Sequence, residues 1–124
     1  MAKITICGHL GGDASEAEVK VGDQIKFVTK FTVAESNYKG KDANGLAIYI
    51  TTWYNVEWWN NETQKERIKF LKKGNHTMVI GDFRARLYQA DDKSWRISND
   101  ITIRSLSDVN SKGEAKEGSG DVDF

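Results

Sequence analysis

The stretch "IYITTWYNVEWW", residues 48–59, holds three of the four tryptophans and alternates in a way that an extended strand explains. Successive side chains of a strand point to opposite faces. Trp53, Asn55, Glu57 and Trp59 therefore share one face. Tyr54, Val56 and Trp58 share the other and continue a row begun by Ile48 and Ile50. The second row is apolar and reads as core, with Tyr54 and Trp58 packed inside or against another subunit. The first row mixes indoles with an amide and an acid, a poor core and a good exposed groove.

The same period runs through the rest of the chain. "KITICGHL" (3–10) is a short β-branched run closed by the turn signal "GGD", and Cys7 within it reads as a small core residue. "QIKFVTKFTVAE" (24–35) sets Ile25, Phe27, Thr29, Phe31 and Val33 against Lys26, Val28, Lys30 and Thr32. "NYKGKDANGLA" (37–47) reads as a long hairpin loop with Asn44-Gly45 near its end. "HTMVIGDFRARLYQ" (76–89) places Phe83, Ala85 and Leu87 inward and Arg84, Arg86 and Tyr88 outward, with Gly81 at a bulge or bend. "WRISNDITIRSL" (95–106) follows the turn "ADDKS" as a last strand.

"NNETQKERIKFLKKGN" (60–75) breaks this pattern. Ile68 and Leu71 stand three apart among charges, and Gly74 sits where a helix would stop, so one short helix is predicted. An all-β chain of five strands, with one short helix between the third and fourth, matches a five-stranded Greek-key barrel of the OB type. This domain is predicted over residues 1–106. "SDVNSKGEAKEGSGDVDF" (107–124) has almost no apolar residue before its end and reads as a flexible, disordered acidic tail.

A chain of 124 residues suits one domain. Its formal net charge of zero divides into plus three over residues 1–106 and minus three over the remainder, which favours an anionic partner for the body. No apolar run approaches the roughly 18 residues of a membrane span, no secretory leader is evident, and one cysteine forms no internal disulfide. These features lead to the expectation of a cytoplasmic protein. Catalytic chemistry finds no residues to carry it: His9 and His76 lack ligands at metal spacing in the sequence, and "GHLGGD" lacks phosphate-loop spacing. The expectation is a non-enzyme with no cofactor and no metal.

An aromatic surface interleaved with cations suits single-stranded nucleic acid, whose bases stack on rings while Lys and Arg neutralise phosphates. The candidate stacking residues are Tyr38, Trp53, Trp59 and Tyr88. The candidate phosphate contacts are Lys26, Lys30, Lys39, Lys41, Arg84 and Arg86. Glu57, between the two outward tryptophans, fits this reading least well.

At the level of motifs the chain resembles the bacterial-type single-stranded DNA-binding proteins. "ITICGHLGGD" (4–13) resembles that family's first strand and Gly-Asn-Leu-Gly-x-Asp turn, with His9 for the Asn. "TVAESNYKGKDANG" (32–45) resembles its second strand and basic loop. "TTWYNVEWW" (51–59) resembles its Thr-Glu-Trp-His-x-Val segment, and "FLKKGNHTMVIGDFRARLY" (70–88) its Leu-x-Lys-Gly segment and following strand. The resemblance implies an OB fold and sequence-tolerant binding of single-stranded DNA in replication, recombination and repair. It also implies a homotetramer, with nucleoid association in the cytoplasm. "GSGDVDF" (118–124) resembles the family's acidic, Phe-terminated tip, which implies that Asp121, Asp123 and Phe124 recruit replication and repair proteins. The alternative is an OB-fold RNA-binding protein or replication-accessory adaptor.

Overall fold

The computed structural model describes residues 2–112. Seven strands form one sheet: β1 (Ala2–Leu10), β2 (Ser15–Val21), β3 (Gln24–Lys41), β4 (Ala47–Asn60), β5 (His76–Gln89), β6 (Trp95–Thr102) and β7 (Val109–Lys112). The order β1-β3-β4-β6-β5 returns to β1 through a β1–β5 pairing, so five strands close a ring. These are the five strands predicted, and the closed ring is a barrel of the OB type, in which closure leaves few open edges.

β2 and β7 are additions. β2 pairs with β3 over Gln24–Lys30, on the edge that β1 takes over at Val33 and Ala34. β7 pairs with β5 and buries Val109. Residues 107–112 therefore belong to the folded body, not to a tail. Their single apolar residue is enough to seat a short strand against an existing edge. The remainder of the predicted tail lies outside the described residues.

The core follows the inward parity of each strand: Ile6 and Leu10 of β1, Phe31 and Val33 of β3, Val56 and Trp58 of β4, Val79 of β5 and Ile101 of β6. Cys7 has the opposite parity and is exposed, which corrects its predicted core position. Gly81 makes no bulge; it pairs in register with Ile4. A Cβ there would stand 2.6 Å from Ile101 Cγ2 and 2.8 Å from the Thr102 carbonyl, so glycine permits β5 and β6 to approach closely.

The predicted helix is absent. Between Asn61 and Asn75 the chain makes a series of turns, held by Arg67 N–H to Gln64 C=O, Ile68 N–H to Gln64 C=O and Leu71 N–H to Ile68 C=O. So short a segment forms too few i→i−4 bonds to offset the cost of helix nucleation. Ile68 and Leu71 are nonetheless buried and join the core, as their spacing predicted. The Glu16 carboxylate fixes the start of these turns, accepting from Thr63 Oγ1 and Gln64 N–H, each at 2.6 Å.

Two hairpins outrun the barrel. β3 pairs with β1 only at Val33 and Ala34, and β4 meets β6 only from Tyr54 on, so beyond them the β3–β4 ladder projects as a two-stranded arm. β5 and β6 project likewise beyond the Ala2–Phe83 pair. This overturns four predicted inward positions. Ile48, Ile50, Ala85 and Leu87 keep core parity but are exposed, as is Ile97, because nothing among the described residues covers the arms. Phe83, at the base of its arm, is partly buried and packs on the core. Ile25 is likewise exposed, while Val28 is buried despite lying on the lysine face beside its cross-strand partner Trp59.

Candidate nucleic-acid interface

The register of the four strands β3, β4, β6 and β5 assembles one continuous polar and aromatic face. On β3–β4 the outward pairs are Val28–Trp59, Lys30–Glu57, Thr32–Asn55, Ala34–Trp53, Ser36–Thr51 and Tyr38–Tyr49. Parallel pairing sets Asn55 beside Asp100. Antiparallel pairing then adds Arg84–Asp100, Arg86–Ser98 and Tyr88–Arg96.

The tryptophans divide as parity predicts. Trp53 is 54% and Trp59 42% exposed, whereas Trp58 is 4% exposed. Each outward indole is held from one side. A Cβ on Gly11 would lie 2.6 Å from Trp53 Cζ3, so the β1–β2 turn supports that ring. Trp59 Nε1 donates to Glu57 Oε1 at 3.0 Å. Glu57, the residue that fitted least, thus orients one of the candidate stacking rings.

The other two candidate rings lie on the arms. Tyr38 is exposed and meets Tyr49 edge-on with ring centroids 5.8 Å apart. Tyr49 has the parity of Trp53, so alternation in the sequence could have nominated it. Tyr88 is partly covered by Arg86, whose guanidinium sits 5.6 Å from the ring centroid. One face of Tyr88 is thereby occupied by a cation.

The cations are not equivalent. Arg86 Nε donates to Asp100 Oδ2 at 3.2 Å, and that carboxylate also accepts from Ser98 and Asn55. Burial acts to raise the Asp100 carboxyl, but the hydrogen bonds from Ser98, Arg86 and Asn55, with the Arg86 charge, outweigh it and hold the group below its ordinary value. The side chains of Lys30 and Arg84 have no hydrogen bond or ion pair among the described residues and are free for an anion. Lys26 lines a separate cleft of about 320 Å³ with Trp59, Asn61 and Arg104. Lys41 pairs with Ala47 near the tip of the first arm, and Lys39 falls at the register shift between Tyr38 and Gly40. Both lysines are exposed and distant in register from the barrel's centre. The structure thus brings Lys30, Trp53, Trp59, Arg84 and Arg86 together across the barrel and spreads Tyr38, Lys39, Lys41 and Tyr88 along the arms.

A model of the single-strand binding protein family matches residues 1–109. The chain belongs to the single-strand binding protein family. Two solved structures share the fold of this family member. One is described as a Plasmodium falciparum SSB complex with ssDNA, at 19% identity and TM-score 0.64, covering 91% of this chain and 96% of that one. The other is a small single-stranded DNA-binding protein from Streptomyces coelicolor, at 17% identity and TM-score 0.56, with coverages of 90% and 96%.

Sequence reasoning missed Gly11 and Asp100 as parts of the site. Gly11 belongs to a turn that folding alone brings under Trp53. Asp100 is paired with Arg86 by β5–β6 geometry, although both carry the outward parity of their strands. Asp121, Asp123 and Phe124 lie outside the described residues.

Proposed function

We propose that this single-strand binding protein coats exposed single-stranded DNA without reading its sequence, protecting it in replication, recombination and repair. The observation that carries this is Trp53 and Trp59 exposed on one strand face of a barrel whose adjoining strands present Lys30, Arg84 and Arg86. Bases stack on the indoles, each contact contributing about 1–3 kcal/mol, and the sequence tolerance follows from every base having a π-face. The cations displace counterions, so log affinity falls with log salt by about 0.7 per neutralised phosphate.

Tryptophan-fluorescence titration with oligo-dT at several salt concentrations tests this reading. Quenching and a negative salt slope are the expected result; the absence of both would overturn it. A matched RNA oligonucleotide is the comparison, and tighter RNA binding would shift the assignment to an RNA-binding module, whose readers use the 2′-hydroxyl.

Two further parts of the reading concern partners. The protein assembles as a homotetramer, supported by the apolar faces of the arms and by an open edge of β1: from Ala2 to Gly8 that strand pairs only with β5 among the described residues. An open edge next to apolar surface is a template for a second copy. Asp121, Asp123 and Phe124 recruit genome-maintenance proteins in the cytoplasm, at the nucleoid. Deleting these tip residues should abolish partner pull-down while leaving DNA affinity nearly intact; equal recovery of partners would count against the tip.

A further inference from the structure

The centre of the binding face is a pocket of about 560 Å³, flanked by the aromatic platform and lined in part by Asp13, Lys30, Asn55, Glu57, Arg86 and Asp100. That volume suits one nucleotide-sized group. Most of its charged groups are already committed. Arg86 and Asp100 close on each other, and Asp13 accepts from Lys73 N–H at 2.8 Å while lying 4.0 Å from Lys72 Nζ. Two groups remain. The Lys30 ammonium has no hydrogen bond or ion pair among the described residues. Glu57 uses only Oε1, toward Trp59 Nε1, and leaves Oε2 without a hydrogen bond. The two residues are direct cross-strand partners, so their Cβ atoms stand about 5 Å apart. Trp59 follows Glu57 by two residues on the same face, about 7 Å along the strand.

This arrangement has the shape of a nucleotide's polar ends: a free cation for phosphate, a stacking ring, and a free carboxylate oxygen at the ring's edge. A carboxylate only accepts hydrogen bonds. It can receive the N4 amino group of cytosine, the N6 amino group of adenine, or the N1–H and N2 amino group of guanine. Thymine offers a single N3–H flanked by two carbonyl oxygens, whose lone pairs oppose the carboxylate.

We propose that Glu57 is a base-selectivity residue, favouring an amino-bearing base over thymine at the position stacked on Trp59. This rests on the single-stranded DNA reading and refines its sequence tolerance into a modest bias. Substitution Glu57→Gln reverses the chemistry presented. The glutamine oxygen can keep the bond from Trp59 Nε1, which leaves its NH₂ group, a donor, facing the base. A donor suits thymine O4. The same change removes a negative charge from the groove, so every oligonucleotide should bind more tightly; selectivity is read from a ratio, in which that common factor cancels.

The experiment measures affinities for oligo-dC and oligo-dT of equal length, at one salt concentration, for the wild type, Glu57→Gln and Glu57→Asp. A second probe pair, oligo-dT carrying isolated guanines or inosines at the same positions, isolates the guanine 2-amino group. The expected result is a fall of about fivefold in the dC-to-dT affinity ratio on going from wild type to Glu57→Gln, the low end of what a base-edge contact discriminates. The guanine-over-inosine advantage should fall in parallel. Glu57→Asp keeps the charge but withdraws the carboxylate by one methylene, and it should lose the ratio without the common gain. Ratios unchanged in both variants, with all oligonucleotides bound, would overturn the proposal and leave Glu57 as a charge and an anchor for Trp59. No binding of any oligonucleotide by the wild type would overturn the single-stranded DNA reading itself, and this inference with it.

Discussion

Trp53 rests on Gly11: a Cβ built on the glycine would stand 2.6 Å from the indole Cζ3 and 3.2 Å from Cη2, and 2.7 Å from Thr32 Oγ1. Gly11 is not among the glycines with positive φ, so its backbone accepts alanine. Gly11→Ala should therefore displace the ring without unfolding the protein. The expected outcome is weaker oligo-dT binding, by no more than the roughly 1–3 kcal/mol of a base–aromatic stack, with a melting temperature close to wild type. Unchanged affinity in a fluorescence titration would show that Trp53 is positioned by something else.

Gly81 and Gly8 differ from Gly11 in what blocks them. A Cβ at Gly81 would meet the Thr102 carbonyl at 2.8 Å, and one at Gly8 would overlap the Ala34 carbonyl. These neighbours are backbone atoms in paired strands and have little room to move. Gly81→Ala should destabilise the barrel by about 1–3 kcal/mol, the usual range for overpacking, and Gly8→Ala by more. Urea unfolding measures both; a Gly81→Ala midpoint equal to wild type would contradict the close approach.

The ion pair Arg86–Asp100 links stability and binding in opposite directions. Because the folded Asp100 carboxyl titrates below its ordinary value, it contributes stability that is present above the unfolded-state value. That contribution is lost as pH falls through the lower folded-state value. Protonation also weakens the hold on Arg86, leaving the guanidinium more available to phosphate. Asp100→Asn should reproduce both effects at neutral pH, with lower stability and tighter, more steeply salt-dependent DNA binding. Its stability should also converge on wild type in acid. An Asn variant with an unchanged salt slope would mean that Arg86 does not reach the strand.

Alternation made much of this architecture legible. The five ring strands, the inward Val56 and Trp58, and the outward Trp53 and Trp59 all follow from period-two patterning, which reports the face of a residue directly. It does not report whether a face is covered. Ile48, Ile50 and Leu87 have core parity and lie exposed because their strands leave the barrel, and strand length relative to the ring is a property of the closed sheet. β2 escaped notice because "SEAEVKV" is polar and most of it is exposed at the edge of β3. The helix was expected from Ile68 and Leu71, whose burial is satisfied by turns anchored on Glu16, a residue distant in sequence. The Arg86–Asp100 pair and the Gly11 seat are likewise contacts between segments far apart in the chain.

The parity of the tryptophans yields a separation of effects within one strand. Trp58 is 4% exposed, joins the core and carries Arg67 over its ring at 5.7 Å from the centroid. Truncating a buried tryptophan removes its transfer free energy and leaves a cavity, so Trp58→Ala should cost about 3–5 kcal/mol of stability. At a temperature where the variant stays folded, its affinity for oligo-dT should be close to wild type. Trp59→Ala, one residue along, should do the converse: small loss of stability and about 1–3 kcal/mol weaker binding. Urea unfolding and fluorescence titration on the two variants together check the assignment. The quenching amplitude supplies an independent reading, since it should shrink on removal of Trp53 or Trp59 and persist in Trp58→Ala. Loss of affinity from Trp58→Ala equal to that from Trp59→Ala, in folded protein, would place both indoles on the ligand and contradict the strand's alternation.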